Sequence, residues 1–222
     1  MSSQAGVNGS NIMSQLKLAI FDMDDVLCVY DRAARIDALA ALSDRTTDYI
    51  LSAIWQSGFE ARSDAGDIDS ARYLAGFGER LGYPLTRAEW VEARRLAMRP
   101  CPAVLALVAA VKERVPVALL TNNGFLVAEE IANLFPALPA LFGERLFVSA
   151  MFGRKKPDPE IYRALAARVG VAPREAFFTD DKPRNVAGAE KAGLTGHVFA
   201  SPQGLATALA RHGLLDSAFA PP

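Results

Sequence analysis

Three carboxylates, Asp22, Asp24 and Asp25, follow directly on the apolar run Leu18–Phe21. A short apolar run that ends abruptly in polar residues reads as a buried strand of a parallel sheet. In open α/β sheets, ligands bind beyond the carboxyl ends of such strands. Residues two apart on extended backbone share a side, so Asp22 and Asp24 can face one ligand while Met23 points away. Two carboxylates about 4 Å apart repel by roughly 4 kcal/mol at an effective dielectric near 20. A hard cation taking oxygen ligands would neutralise them. Taken alone, the same residues also read as a solvated acidic turn.

Three further strand ends carry polar groups. Val115–Leu120 leads into Thr121-Asn122-Asn123-Gly124, Leu146–Ser149 precedes the connection bearing Lys156, and Ala176–Thr179 ends at Asp180-Asp181. Each has a plainer reading: a strand-to-helix turn, a solvated lysine beside Lys155, and charge at a helix start. Right-handed crossovers place the carboxyl ends of parallel strands on one edge of the sheet. That would bring Asp22, Asp24, Thr121, Asn122, Lys156, Asp180 and Asp181 together. A lysine turning back from a strand end toward such a site calls for a tight reversal, for which a cis Lys156–Pro157 bond is a candidate.

Strands alternating with helices give βαβ units and a parallel sheet. Helices are expected at Pro102–Glu113, Phe125–Phe135, from Asp158-Pro159 to about Val169, at Arg184–Ala192, and from Ser201-Pro202 to about His212; Thr195–Ala200 reads as a fifth strand. Between the first strand and the rest lies a stretch with no strand pattern. It predicts helices over Asp31–Leu42, Thr46–Gln56, Asp69–Leu81, and from the capping box Thr86-Arg87-Ala88-Glu89 to about Arg99. Arg62–Asp67 reads as a loop. The resulting organisation is a polar, disordered tail over 1–14, an α/β core over 15–28 and 100–222, and a helical insertion over 29–99. Met13 is an alternative start.

With 51% apolar and 22% charged residues, the 222-residue chain has the composition of a globular protein with a sizeable core. A net charge of −1 gives no electrostatic footprint for nucleic acid or an anionic membrane. No apolar run is long enough to span a bilayer, and the N-terminus lacks the regions of a signal peptide. Cys28 and Cys101, far apart and without metal-ligand spacing, read as reduced thiols, so the expected location is the cytoplasm. His197 and His212 follow all the strand-end motifs, which leaves none for catalysis from the insertion.

The segments FDMDDVL (21–27), LLTNNG (119–124), GRKKPDPEIY (153–162) and FFTDDKPRNVAGAEKAGL (177–194) resemble, in order, the four motifs of the haloacid dehalogenase-like superfamily. The resemblance covers the chain after the tail. It implies a Rossmann-like, three-layer α/β core with a mobile helical cap inserted after the first motif. It further implies phosphoryl transfer through an aspartyl-phosphate on Asp22, with Asp24 as acid and base. Thr121 would hold the transferring oxygens and Lys156 would balance charge. Mg²⁺ would bind Asp22, the Asp24 backbone carbonyl and Asp181, with Asp180 acting through a water. The partner expected is a small phosphorylated molecule, and oligomeric state is not legible. Dehalogenases need neither the second aspartate nor the metal, so Asp24 and Asp180-Asp181 favour a phosphatase. A hexose-phosphate mutase stays open, although VYDRAARIDA lacks the basic and histidine residues expected for one. A receiver-like module phosphorylated on aspartate is the non-enzymatic alternative, disfavoured by the helical insertion and Asp24. The cap loosely resembles that of sugar-phosphate (glucose-1-phosphate) phosphatases. Trp55, Phe59, Glu60 and Arg62 are its candidate substrate-facing residues, with Trp55 and Phe59 placed to stack on a ring or to pack the cap interior.

Overall fold

The computed structural model describes residues 15–219; the tail assigned to 1–14, with Met13, lies outside them. Five parallel strands form the core sheet: β1 (Leu18–Phe21), β4 (Val117–Thr121), β5 (Leu146–Val148), β6 (Ala176–Asp180) and β7 (Thr195–Val198), in spatial order β5-β4-β1-β6-β7. β2 (Cys28–Tyr30) and β3 (Met98–Pro100) pair separately as an antiparallel ribbon. Every residue of β1, β4 and β6 is buried, as expected for a sheet covered on both faces. Strand alternation divides the core in two. Ala19, Phe21, Val117, Leu119 and Phe177 pack into one apolar cluster. Leu18, Ile20, Ala118, Leu120 and Phe178 pack into the other, against Ile161, Tyr162 and Leu165. The chain passes from β1 to β4 and β5 on one side, then returns to β6 and β7 on the other. β1 therefore ends at the point where strand order reverses, where α/β sheets open a crevice.

Helices Arg32–Ser43, Thr47–Ile50, Phe59–Asp64, Ser70–Leu81 and Arg87–Leu96, with one π-helical stretch at Leu51–Gln56, form the cap between the ribbon strands. Asp69 and Thr86 cap their helices as their sequence positions predict, Thr86 completing the capping box with Glu89, and Asp31 caps the first cap helix. The cap interior centres on Tyr73, Phe77 and Trp90, whose rings meet edge to face.

Several expectations are corrected. Phe59–Asp64 is helical where a loop was expected over Arg62–Asp67; Phe59 anchors it by stacking on Tyr73, with ring centroids 5.3 Å apart. The helix expected to reach Arg99 stops at Leu96, because Met98–Pro100 is drawn into the ribbon against Cys28–Tyr30. The helix expected over Phe125–Phe135 breaks at Glu130, and Ala137–Phe142 adds a further short helix. Among the described residues, no helix is long and apolar enough to cross a membrane.

Candidate active site

Asp22 leaves β1 beside β6, its backbone N–H donating to the Thr179 carbonyl at 3.0 Å. Its Oδ1 accepts from the Met23 N–H at 2.8 Å and lies 2.8 Å from Lys156 Nζ. The same ammonium donates to Asp180 Oδ2 at 2.6 Å and to the Leu120 carbonyl at 2.9 Å. All three side chains are buried. Lys156 reaches this position because Asn122 clamps its backbone, accepting from Lys156 N at 2.8 Å and donating to Lys156 O at 2.9 Å. The Lys156–Pro157 bond is cis, as the reversal suggested.

One buried ammonium thus serves two buried carboxyl groups. Burial pushes the Asp22 carboxyl well above its usual range, opposed by Lys156 and reinforced by Asp180. Asp180 stays low despite burial, held by Lys156 and hydrogen bonds. Lys156 is held above its usual range, burial being outweighed by the two carboxylates.

The two carboxylates of the fourth motif are not equivalent. Both Asp180 oxygens are occupied: Oδ1 accepts from Lys182 N and Asn185 Nδ2 at 2.9 Å, and Oδ2 from Lys156 and, at 3.0 Å, from Asn185. Asp181 Oδ1 is buried and accepts no hydrogen bond. Asp22, Asp180 and Asp181 each place one carboxylate oxygen within 4.8 Å of the others. An all-oxygen set with one carboxylate oxygen that accepts no hydrogen bond, its nearest cation being Lys182 Nζ at 3.7 Å, fits a hard divalent cation such as Mg²⁺. Asp181 Oδ1 could take such an ion directly, whereas both Asp180 oxygens are already engaged.

Thr121 closes β4, and its Oγ1 accepts from Asn123 Nδ2 at 2.7 Å. Asp24 lies in the turn after β1, where its Oδ2 meets the cap residue Arg94 at 3.2 Å. Asp25 follows in a left-handed conformation, φ 64°, which its short polar side chain tolerates. Asp22, Asp24, Asp25, Thr121 and Lys156 line a cavity of about 460 Å³ with Asp64, Tyr30 and Arg32 from the cap side and Lys155 from the core. Cap and core close around it through Ser149, which donates to the Asp64 carbonyl at 2.6 Å, and through Gly124, where a Cβ would overlap the Ser63 hydroxyl.

The cap residues expected to face substrate divide. Trp55 is half-buried on a smaller compartment of about 120 Å³ that also touches Asp24, Asp64 and Asn122, and the Arg32 and Arg35 guanidinium carbons lie 5.9 and 5.4 Å from its ring centre. Glu60 lines the same compartment, but both its oxygens are engaged inside the cap, by Arg35 at 3.1 Å and Tyr73 at 2.7 Å. Phe59 does not face the site: it is 4% exposed, sandwiched in the cap interior between Tyr73 and Arg80. Arg62 is exposed and lines neither compartment, since its helix turns that face to solvent. Sequence reasoning missed Asp64, Arg94, Asn123 and Asn185. Asn185 falls inside the fourth motif and Asn123 inside the second, so both stood within quoted segments; nothing in the pattern of the last cap helix distinguishes Arg94 from Arg95.

A family model for haloacid dehalogenase-like hydrolases matches residues 16–193. The chloroplast flavin mononucleotide hydrolase 1 of Arabidopsis thaliana is 38% identical over 31% of this chain, which spans only 28% of that protein's length. The sesquiterpene phosphatase astK of Aspergillus oryzae is 27% identical over 81% of this chain and 88% of its own. The D-ribitol-5-phosphate phosphatase of Bacteroides thetaiotaomicron is 24% identical over 77% and 85%. The crystal structure of the enzyme bt-2542 from Bacteroides thetaiotaomicron, in complex with magnesium and inorganic phosphate, superposes with a TM-score of 0.72. It is 24% identical, with 83% of this chain and 94% of that one covered. The matched span takes in β1 with Asp22 and Asp24, the cap, Thr121, Lys156 and the Asp180-Asp181 pair, and the chain belongs to the haloacid dehalogenase-like hydrolases.

Proposed function

We propose that the protein is a Mg²⁺-dependent phosphatase of small, hydroxyl-bearing phosphomonoesters, working through an aspartyl-phosphate on Asp22. The observation that carries this reading is the Asp22 carboxylate, held by Lys156 at 2.8 Å in the lining of a polar cavity. In the first step an Asp22 oxygen attacks phosphorus, the bond from phosphorus to the ester oxygen breaks, and the Asp24 carboxyl gives its proton to the leaving alkoxide. In the second, Asp24, now a carboxylate, takes a proton from water. The resulting hydroxide attacks phosphorus, the acyl-phosphate bond breaks, and Asp22 returns as carboxylate beside inorganic phosphate. Thr121, whose hydroxyl accepts from Asn123, keeps its own proton for an oxygen of the transferring group. Asp22, the Asp24 carbonyl and Asp181 would hold Mg²⁺, with Asp180 behind them. When bound, the cation offsets the charge of the phosphoryl group.

The substrate's alcohol would lie against the cap. Asp64, Arg32 and Tyr30 line that side of the cavity, with Asn122 and Lys155 of the core also in its lining, and such a lining pairs with hydroxyls rather than with hydrocarbon. The ribitol-5-phosphate relative supports a polyol or sugar phosphate, whereas a terpenyl chain would leave these charged groups desolvated and unpaired. Asp22, Asp24 and the Asp181 site together support phosphate transfer over dehalogenation. Phosphate release over a panel of sugar, polyol, nucleotide and prenyl phosphates, with Mg²⁺ and with chelator, tests the reading. Polyol or sugar phosphates should lead the panel and chelator should abolish release. A preference for prenyl phosphates would refute the substrate class, and full activity in chelator would refute the metal.

A further inference from the structure

A single cap side chain touches both halves of the catalytic apparatus. Arg94, on the last cap helix, is 4% exposed. Its Nη2 donates to Asp24 Oδ2 at 3.2 Å and to Asn123 Oδ1 at 3.0 Å. Its guanidinium carbon lies 5.0 Å from the ring centre of Tyr30, on the ribbon that joins cap to core. An arginine has only donors to offer. The Asn123 oxygen must therefore face it, which turns the Asn123 amide nitrogen to Thr121 Oγ1 at 2.7 Å. The Thr121 hydroxyl becomes an acceptor from Asn123 and keeps its proton free for a ligand. On the other branch Arg94 occupies Asp24 Oδ2, and Asp24 Oδ1 is left buried without a hydrogen-bond partner. Of the two Asp24 oxygens, Oδ1 is therefore the one whose lone pairs are uncommitted to the protein.

We infer that Arg94 is a positioning residue: reaching from the cap, it leaves Oδ1 of Asp24 as the proton-exchanging oxygen and, through Asn123, orients the Thr121 hydroxyl toward the phosphoryl group. This rests on the phosphatase reading above. It makes the docked cap part of the acid–base machinery rather than a cover over it, because removing the cap removes the anchor of Asp24.

The two branches have separable consequences. Expelling an alkoxide requires the Asp24 proton, expelling an aryl oxide scarcely does, and hydrolysis of the phosphoenzyme requires Asp24 as base in both cases. Arg94→Met should lower kcat/KM for an alkyl phosphate by about 10²–10⁴-fold, the usual contribution of a general acid. It should lower kcat/KM for p-nitrophenyl phosphate at least ten times less (an order-of-magnitude expectation on the same basis). It should also produce a pre-steady-state burst of nitrophenol, since the second step becomes limiting. Asn123→Ala, which cuts the Thr121 branch while leaving the Arg94–Asp24 contact in place, should lower both substrates alike. Arg94→Lys keeps the buried charge but holds one partner at a time, and should show the same leaving-group split in smaller measure; it decides the matter if the methionine variant does not fold. Equal losses on both substrates without a burst, in variants whose melting is unchanged, would reduce Arg94 to a structural contact and overturn the inference. Wild-type enzyme releasing phosphate from neither ester would instead overturn the phosphatase reading.

Discussion

Lys156→Met removes the cation shared by two buried carboxylates. Lys156 Nζ sits 2.8 Å from Asp22 and 2.6 Å from Asp180, with its side chain 1% exposed. Carboxylate oxygens within 4.8 Å of one another repel by about 3.5 kcal/mol at an effective dielectric near 20. Removing one partner from a buried ion pair costs about 3–5 kcal/mol. The two figures agree, so the variant should lose about 3–5 kcal/mol at pH 7 in chelator, or roughly 6–20 °C in Tm for a domain of this size. The sign of the pH dependence follows. Burial already raises the folded Asp22 carboxyl above its unfolded value, and Lys156 is what pulls both carboxyls down. Without it the folded values rise further. Stability present at acid pH is then lost as pH climbs through them, so the deficit against wild type grows from pH 4 to pH 7. Mg²⁺ should narrow the gap by supplying the missing charge. Urea melts of both proteins across this range, with chelator and with Mg²⁺, measure all three effects. A deficit below about 1 kcal/mol at pH 7 in chelator, where a broken buried pair should cost several times more, would refute the assignment of Lys156 as the counter-ion.

Phe59→Ala should destabilise by about 3–5 kcal/mol, as a buried aromatic does, and thermal melting checks it. Trp55→Ala, made on the lining of the smaller compartment, should instead reorder the substrate panel while leaving hydrolysis of a minimal aryl phosphate largely intact. Gly124→Ala sets a Cβ into the Ser63 hydroxyl where cap meets core; kcat/KM should fall, and Ser63→Ala in the same chain should restore much of it, read by steady-state kinetics. Burial, with Glu60 adding to it, raises the Asp64 carboxyl in the folded protein. That raised value costs stability as pH rises through it, so Asp64→Asn should raise Tm at pH 8 and lose the advantage near pH 4.

The strand ends were legible in the sequence because chemistry and fold demand the same residues there. An apolar run must stop where the crevice opens, and Asp22, Thr121 and Asp180 stand at those stops. Helix caps were legible because the capping interaction is local: Asp69 and Thr86 need only their own helix. The ribbon of Cys28–Tyr30 against Met98–Pro100 was not, since three-residue strands, one holding Pro100, pair only when the intervening cap has folded. Phe59 and Trp55, four residues apart in the sequence, have equal claim there to the substrate, and the Tyr73 ring stack that claims Phe59 for the interior is tertiary. Arg94 and Arg95 are adjacent and chemically identical. The first is buried on Asp24 and Asn123, the second is exposed and paired with Glu92, and only the docking of the helix on the core separates them.

The central claim is that Asp22 carries the phosphoryl group. Enzyme in excess over p-nitrophenyl phosphate, with Mg²⁺, should be acid-quenched within a single turnover and its peptides mapped by mass. A phosphoryl group is expected on the peptide containing Asp22, removable by hydroxylamine and absent from Asp22→Asn. Turnover that proceeds at the wild-type rate in Asp22→Asn, or a phosphoryl group mapped to another residue, would contradict it.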